Sequence, residues 1–126
     1  MSKLSFYLVD VFAREKFAGN QLAVVLNASS LSSEHMQQIA NEMHFSETAF
    51  VLSNRQRNGG YDVRILTPAR ELPFSGHPTL GTAYVIKHLV AEEAVNRVVL
   101  NLMIGQVPVV FEKDAESEEV GWMEHV

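Results

Sequence analysis

Residues 78–92 read PTLGTAYVIKHLVAE, and the arrangement of their apolar side chains decides how the rest of the chain has to fold. Leu80, Ala83, Tyr84, Val85, Ile86, Leu89 and Val90 recur over three turns at spacings too broad for one face of a helix. A helix that is apolar nearly all round belongs where it is buried nearly all round. Gly81 and Ala83 keep its surface low, so neighbouring backbone can come close. Pro78 fits the first helical position, where a missing N–H costs nothing. The pattern therefore predicts a helix over roughly 78–92 that other elements must wrap.

Those elements lie on both sides of it. Residues 4–12 (LSFYLVDVF) alternate and are rich in aromatic and β-branched side chains, which predicts a strand, and 21–26 (QLAVVL) predicts a second, more buried one. Residues 48–53 and 61–66 are strands joined by NRQRNGG, whose Asn58-Gly59-Gly60 run supplies the positive φ values of a hairpin turn. Residues 67–76, with Pro68, Pro73 and Gly76, read as a loop. After the helix come strands at 97–102 and 106–112, an acidic turn at 113–119 and one more strand in VGWMEHV. Pro108 inside a strand pattern implies an edge or a bulge.

A second helix has a different character. Ser32 is a good N-cap, Leu31 and Met36 form a hydrophobic staple across it, and Glu34 suits the positive first turn. Met36, Ile39, Ala40 and Met43 form one stripe, and Gln37, Gln38, Asn41 and Glu42 lie opposite, as on a surface helix lying on a sheet. The expected architecture is α+β: a mixed or antiparallel sheet curled around a central buried helix, with one outer amphipathic helix. A flat two-layer arrangement is the competitor.

Composition bounds the function. At 126 residues the chain suits one domain, 1–126, and it is 47% hydrophobic and 20% charged, which is globular. A net charge of −5 disfavours nucleic acid and anionic membrane surfaces as partners. The absence of cysteine excludes disulfides and thiol chemistry. The N-terminus lacks the pattern of a signal peptide, and no stretch approaches the ~18 apolar residues of a membrane span, so the cytoplasm is the expected location.

Two residues stand out chemically. His77, in LPFSGHPT (72–79), falls at the start of the apolar helix, where unpaired N–H groups and a partial positive charge attract anions. There it can donate to a carboxylate or shuttle a proton; an exposed or structural histidine is the plainer reading. Glu47, in HFSETAFV (44–51), is either a solvated glutamate at a strand edge or a carboxyl desolvated between Phe45 and Phe50, the setting that general acid-base work favours. His35, His44, His88 and His125 share no ligand spacing, so no metal site is expected. Ser46, Ser75 and Thr79 have no evident histidine and carboxylate partners for nucleophilic catalysis. Arg64 and Arg70 suit structural ion pairs with Asp62 or Glu71. AGNQLAVV (18–25) reads as a turn entering a strand.

DVFAREKFAGNQLAVVL (10–26), LSSEHMQQIANEMHFSETAFVL (31–52) and YDVRILTPARELPFSGHPTLGTA (61–83), in this order and spacing, closely resemble the amino-terminal half of the phenazine biosynthesis PhzF-like family. The resemblance implies a diaminopimelate epimerase-like fold of two similar domains, each a sheet curled around a helix, with the active site between them. It implies a cofactor-independent isomerase in a biosynthetic pathway, acting on a small, phenazine-precursor-like carboxylate by general acid-base proton transfer. Glu47 matches the catalytic glutamate and His77 its partner at the helix N-terminus. Asn20, Gln21, Ser46, Gly76, Pro78 and Thr79 fall at substrate-binding positions. Gly76 stands where epimerases of this fold carry a thiol, so two-thiol racemisation is excluded. Family members are about twice as long. The chain thus matches one domain, and either homodimerisation or a separate carboxyl-terminal half is expected to complete it. The alternative is a non-catalytic remnant that binds a small ligand or associates with itself.

Overall fold

The structure, a computed structural model, describes residues 4–11, 20–91, 95–113 and 119–123. It contains strands β1 (Ser5–Val11), β2 (Asn20–Leu26), β3 (Glu47–Val51), β4 (Tyr61–Leu66), β5 (Glu71–Leu72), β6 (Arg97–Leu102), β7 (Gly105–Lys113) and β8 (Glu119–Met123). Helix α1 (Ser33–Met43) precedes β3, and helix α2 (Gly76–Val85) precedes β6. The strands form one sheet in the order β1-β2-β3-β4-β6-β7-β8, with the short β5 attached to β4.

Among the described residues only β2·β3 and β4·β6 pair in parallel; every other pair is antiparallel. Each parallel pair is joined through a helix, as parallel strands require. Strand direction reverses between β3 and β4. Right-handed crossovers on the two sides of that reversal place their helices on opposite faces of the sheet. The two cores follow this rule. On the inner face Leu22, Val24, Ala49, Val51, Val63 and Leu100 pack with Ala83, Val85 and Ile86. On the outer face Val25, Phe50 and Leu66 pack with Met36 and Ala40 of α1. Helix α2 touches β1, β2, β3, β6, β7 and β8, so the sheet curls around it; the flat two-layer alternative is ruled out.

Helix α1 starts as expected: the Ser32 hydroxyl accepts from the His35 N–H at 3.1 Å. Met36 and Ala40 are buried, and His44 closes the helix in the left-handed region at φ 58°. The hairpin turn uses Asn58 (φ 54°) and Gly59 (φ 81°) for its positive angles. Gly60 has a different reason to be glycine, since a Cβ there would lie 2.5 Å from Asn101 Oδ1. Pro108 pairs with Val99 of β6, and the position facing it beyond the Val109–Met123 pair of β8 lies outside the described residues.

Helix α2 departs from expectation at three points. It begins at Gly76, with Ser75 as N-cap, which makes Pro78 its third residue; proline is still tolerated there, because first-turn amides have no partner within the helix. The α-helical part ends at Val85. A π-helical turn follows, Ile86–Val90, closed by the Ala91 N–H on the Ile86 carbonyl at 2.8 Å, so the helix stops short of residue 92. Burial is also incomplete: Tyr84 is 46% and Leu89 54% exposed. Among the described residues β1 and β8 each pair on one side only, and the curl stays open there. The 67–76 segment, expected as plain loop, contains β5, which pairs Ile65 with Leu72. No helix among the described residues is long and apolar enough to cross a membrane.

Two ion pairs brace the outer face of β4. Arg64 holds Glu71 with two bonds, at 2.9 and 2.7 Å, and also reaches Ser33 of α1. Asp62 accepts from Arg57 Nε at 2.8 Å and from Asn101 Nδ2 at 2.9 Å. The hydrogen bond from Arg57 holds the Asp62 carboxyl below the usual aspartate range, with that of Asn101 acting the same way against partial burial. A lowered folded-state pKa stabilises above the unfolded value and is lost as pH falls through the folded one. Asp62→Asn is therefore expected to cost up to about 1 kcal/mol at pH 7. That deficit should shrink as pH drops below about 3.9 in urea titrations followed by circular dichroism.

Candidate functional site

Glu47 is the first residue of β3, aligned with Leu22 of β2. Side chains alternate along a strand, so Glu47 shares the inner face with Ala49 and Val51, which pack around α2. That face brings its carboxylate to the start of α2, where the Ser75 hydroxyl donates to Glu47 Oε2 at 3.0 Å. Phe50, expected as one wall of a desolvated pocket for Glu47, instead lies on the outer face in the core beneath α1. An odd separation of three residues along a strand makes that unavoidable. Glu47 is half-buried and Ser46 beside it is exposed.

Ser75, Gly76 and His77 carry the other side of the site. His77 is the second residue of α2 and exposed, two positions beyond the serine that bonds Glu47. Pro78 and Thr79 are buried. The Thr79 N–H and hydroxyl both donate to the Ser75 carbonyl, at 3.1 and 2.7 Å, so Thr79 supports the cap from behind. Gln21, near the start of β2, is exposed; the Asn20 side chain lies outside the described residues, as does the turn before it. Large apolar side chains surround the helix start. Phe74 is 37% exposed, and Ile104, at 64%, donates its N–H to the Pro73 carbonyl. The Met123 methyl would stand 3.6 Å from a Cβ built on Gly76.

The site is an open surface. A cleft of about 560 Å³ lined by Arg55, Tyr61, Val90 and Arg97 lies at the opposite end of the central helix. The Glu47–Ser75 contact lies instead at the helix N-terminus, and that is the candidate site. Among the described residues no three His, Asp or Glu side chains gather to hold a metal.

The sequence offers Ser75 only as a nucleophile without evident histidine and carboxylate partners, whereas the structure gives it a carboxylate partner in Glu47. Placing the helix start at Pro78 put the cap at His77. The signal was a serine immediately before the true first residue, a strong N-cap type. Gly76 has no positive φ, and its missing side chain meets only ordinary contact distances. Gly76→Ala is accordingly expected to change unfolding free energy by less than about 1 kcal/mol, as read from denaturant melts; a larger loss would show that the glycine serves the fold.

Comparison with known proteins follows the same geometry. The chain is 44% identical over 108 residues to the trans-2,3-dihydro-3-hydroxyanthranilate isomerase of Pseudomonas aeruginosa, covering 86% of this chain and 37% of that protein. It is 47% identical over 81 residues to the Pseudomonas chlororaphis protein of the same name, covering 64% and 29% respectively. A crystal structure of a PhzF-family phenazine biosynthesis protein from Bacillus anthracis superimposes with a TM-score of 0.80 at 27% identity, over 97% of this chain and 40% of that one. A PhzF-family protein from Enterococcus faecalis gives 0.75 at 35% identity, over 90% and 42%. The chain thus spans roughly two fifths or less of the length of these relatives. The profile of the phenazine biosynthesis-like proteins, PhzC-PhzF, matches residues 9–125, and with the curled sheet, the enclosed helix and the Glu47–Ser75 contact at its start, the chain belongs to the phenazine biosynthesis-like PhzF family.

Proposed function

We propose that this chain carries the acid-base half of a cofactor-independent isomerase, acting on a small cyclic carboxylate of the dihydro-hydroxyanthranilate type. The observation that carries the reading is the Ser75–Glu47 hydrogen bond, which ties the carboxylate to the helix N-terminus. The names of the relatives support the reaction class.

In this reading Glu47 takes a proton from an sp³ carbon adjacent to a conjugated double bond. The electron pair moves into the conjugated system. Protonated Glu47 then returns the proton to a different carbon, so composition and charge are unchanged. The substrate carboxylate lies at the positive end of α2. Pro78 has no N–H and that of Thr79 is taken by Ser75, so binding falls to Gly76 and the His77 side chain, with Gln21, Ser46 and Asn20 along the rim. The rim's apolar groups, Phe74, Ile104 and Met123, exclude water from the ring of the substrate. A small metabolite in the cytoplasm, with neither nucleic acid nor membrane as partner, fits the acidic surface.

Catalysis at carbon needs donors that face the developing charge in a site closed to water, and the Glu47 side is open. Around the helix start the apolar side chains of Phe74, Ile104 and Met123 are 37%, 64% and 36% exposed. The same exposure favours a second reading, in which the chain is a self-associating or ligand-binding module without turnover. In both readings a second polypeptide surface, another copy or a carboxyl-terminal half, covers this face.

Glu47→Gln is expected to lower turnover of trans-2,3-dihydro-3-hydroxyanthranilate by at least about 100-fold, and to abolish deuterium incorporation from D₂O into the product. Unchanged turnover in the variant would sink the acid-base assignment. Sedimentation of the wild-type chain is expected to show concentration-dependent association across the micromolar range; a monomer throughout removes self-association and leaves the separate half.

A further inference from the structure

Among the described residues two helices have serine N-caps, and they behave differently. At α1 the Ser32 hydroxyl accepts from the backbone N–H of His35, the ordinary use of a capping serine. At α2 the Ser75 hydroxyl makes no bond to its own helix. It turns away and donates to Glu47, 28 positions earlier in the chain. The residue three on from Ser75 is Pro78, which has no N–H to offer such a cap, so the hydroxyl is available to Glu47 without giving up the bond that Ser32 makes.

We infer that Ser75 is a positioning residue for the Glu47 carboxylate, an inference that rests on the isomerase reading above. The hydroxyl engages Oε2 and leaves Oε1 as the oxygen to take the proton. Its own aim is fixed from behind, since the buried Thr79 donates twice to the Ser75 carbonyl and locks the cap in its extended conformation, φ −155° and ψ 133°. One residue thereby does two things. It holds the base against a rigid helix end, and it keeps its oxygen off the amides that receive the substrate anion. A flexible glutamate at a strand end has several rotamers, and a base must be held within a fraction of an ångström of the carbon it deprotonates.

The test compares Ser75→Ala, Ser75→Thr and Glu47→Gln in the turnover assay, on the full chain together with whatever half completes it. Ser75→Ala is expected to lower kcat about tenfold with KM little changed, matching the loss of one hydrogen bond to a charged group; Ser75→Thr, which keeps the hydroxyl, restores most of it. If Glu47→Gln is inactive and Ser75→Ala is normal, the positioning role is overturned while the isomerase reading stands. If Glu47→Gln retains turnover, the isomerase reading falls and this inference with it. A double-mutant cycle in urea, with Ser75→Ala and Glu47→Ala, needs no activity. Coupling of roughly threefold or more in the unfolding constant supports the contact, and additivity overturns it. Ser32→Ala serves as the comparison, because there the serine caps its helix and the substitution costs stability without touching kcat.

Discussion

The burial of one helix organises this molecule. Ala83, Val85 and Ile86 of α2 have almost no contact with water, and a flat sheet can cover only one side of a helix. The strands therefore bend until β1, β2 and β3 meet one flank of α2 and β6, β7 and β8 the other. Everything else answers that demand. The reversal of strand direction at β4 puts α1 outside, where it closes the second core, and the ion pairs on β4 brace the strand at the middle of the curl.

The site follows from the same burial. A helix enclosed by a sheet has ends that emerge at the rims of the curl, and its N-terminus concentrates unpaired amides and positive potential at one rim. Strands that begin or end at that rim deliver their terminal side chains to it. Glu47 arrives this way, at the start of β3, on the face that the core has already fixed by alternation. The serine before the helix closes the gap. The carboxylate and helix end, far apart in sequence, meet because both are outcomes of one packing problem.

The enclosure of the helix is not complete. Tyr84 is half-exposed with its ring 4.4 Å from that of His88, and Leu89 is exposed in the π-helical turn. These residues gave the helix its all-round apolar pattern, and the fold of this chain buries only part of it. The relatives matched over most of this chain are more than twice as long.

The sequence alone determined the curled α+β fold, both helices and the turn at Asn58-Gly59, because each rests on local periodicity, capping or a φ restriction. It also singled out Glu47 and His77 through their neighbours in the chain. What it did not determine was the wall around Glu47. Phe50 is near in sequence and on the opposite face in space, whereas Ser75 is distant in sequence and within hydrogen-bond reach. The start of α2 at Gly76, the strand β5 and the exposure of Tyr84 were likewise decided by tertiary structure. Strand pairing and the turn taken by a side-chain hydroxyl depend on partners brought together only when the sheet closes around its helix, and no local pattern encodes them.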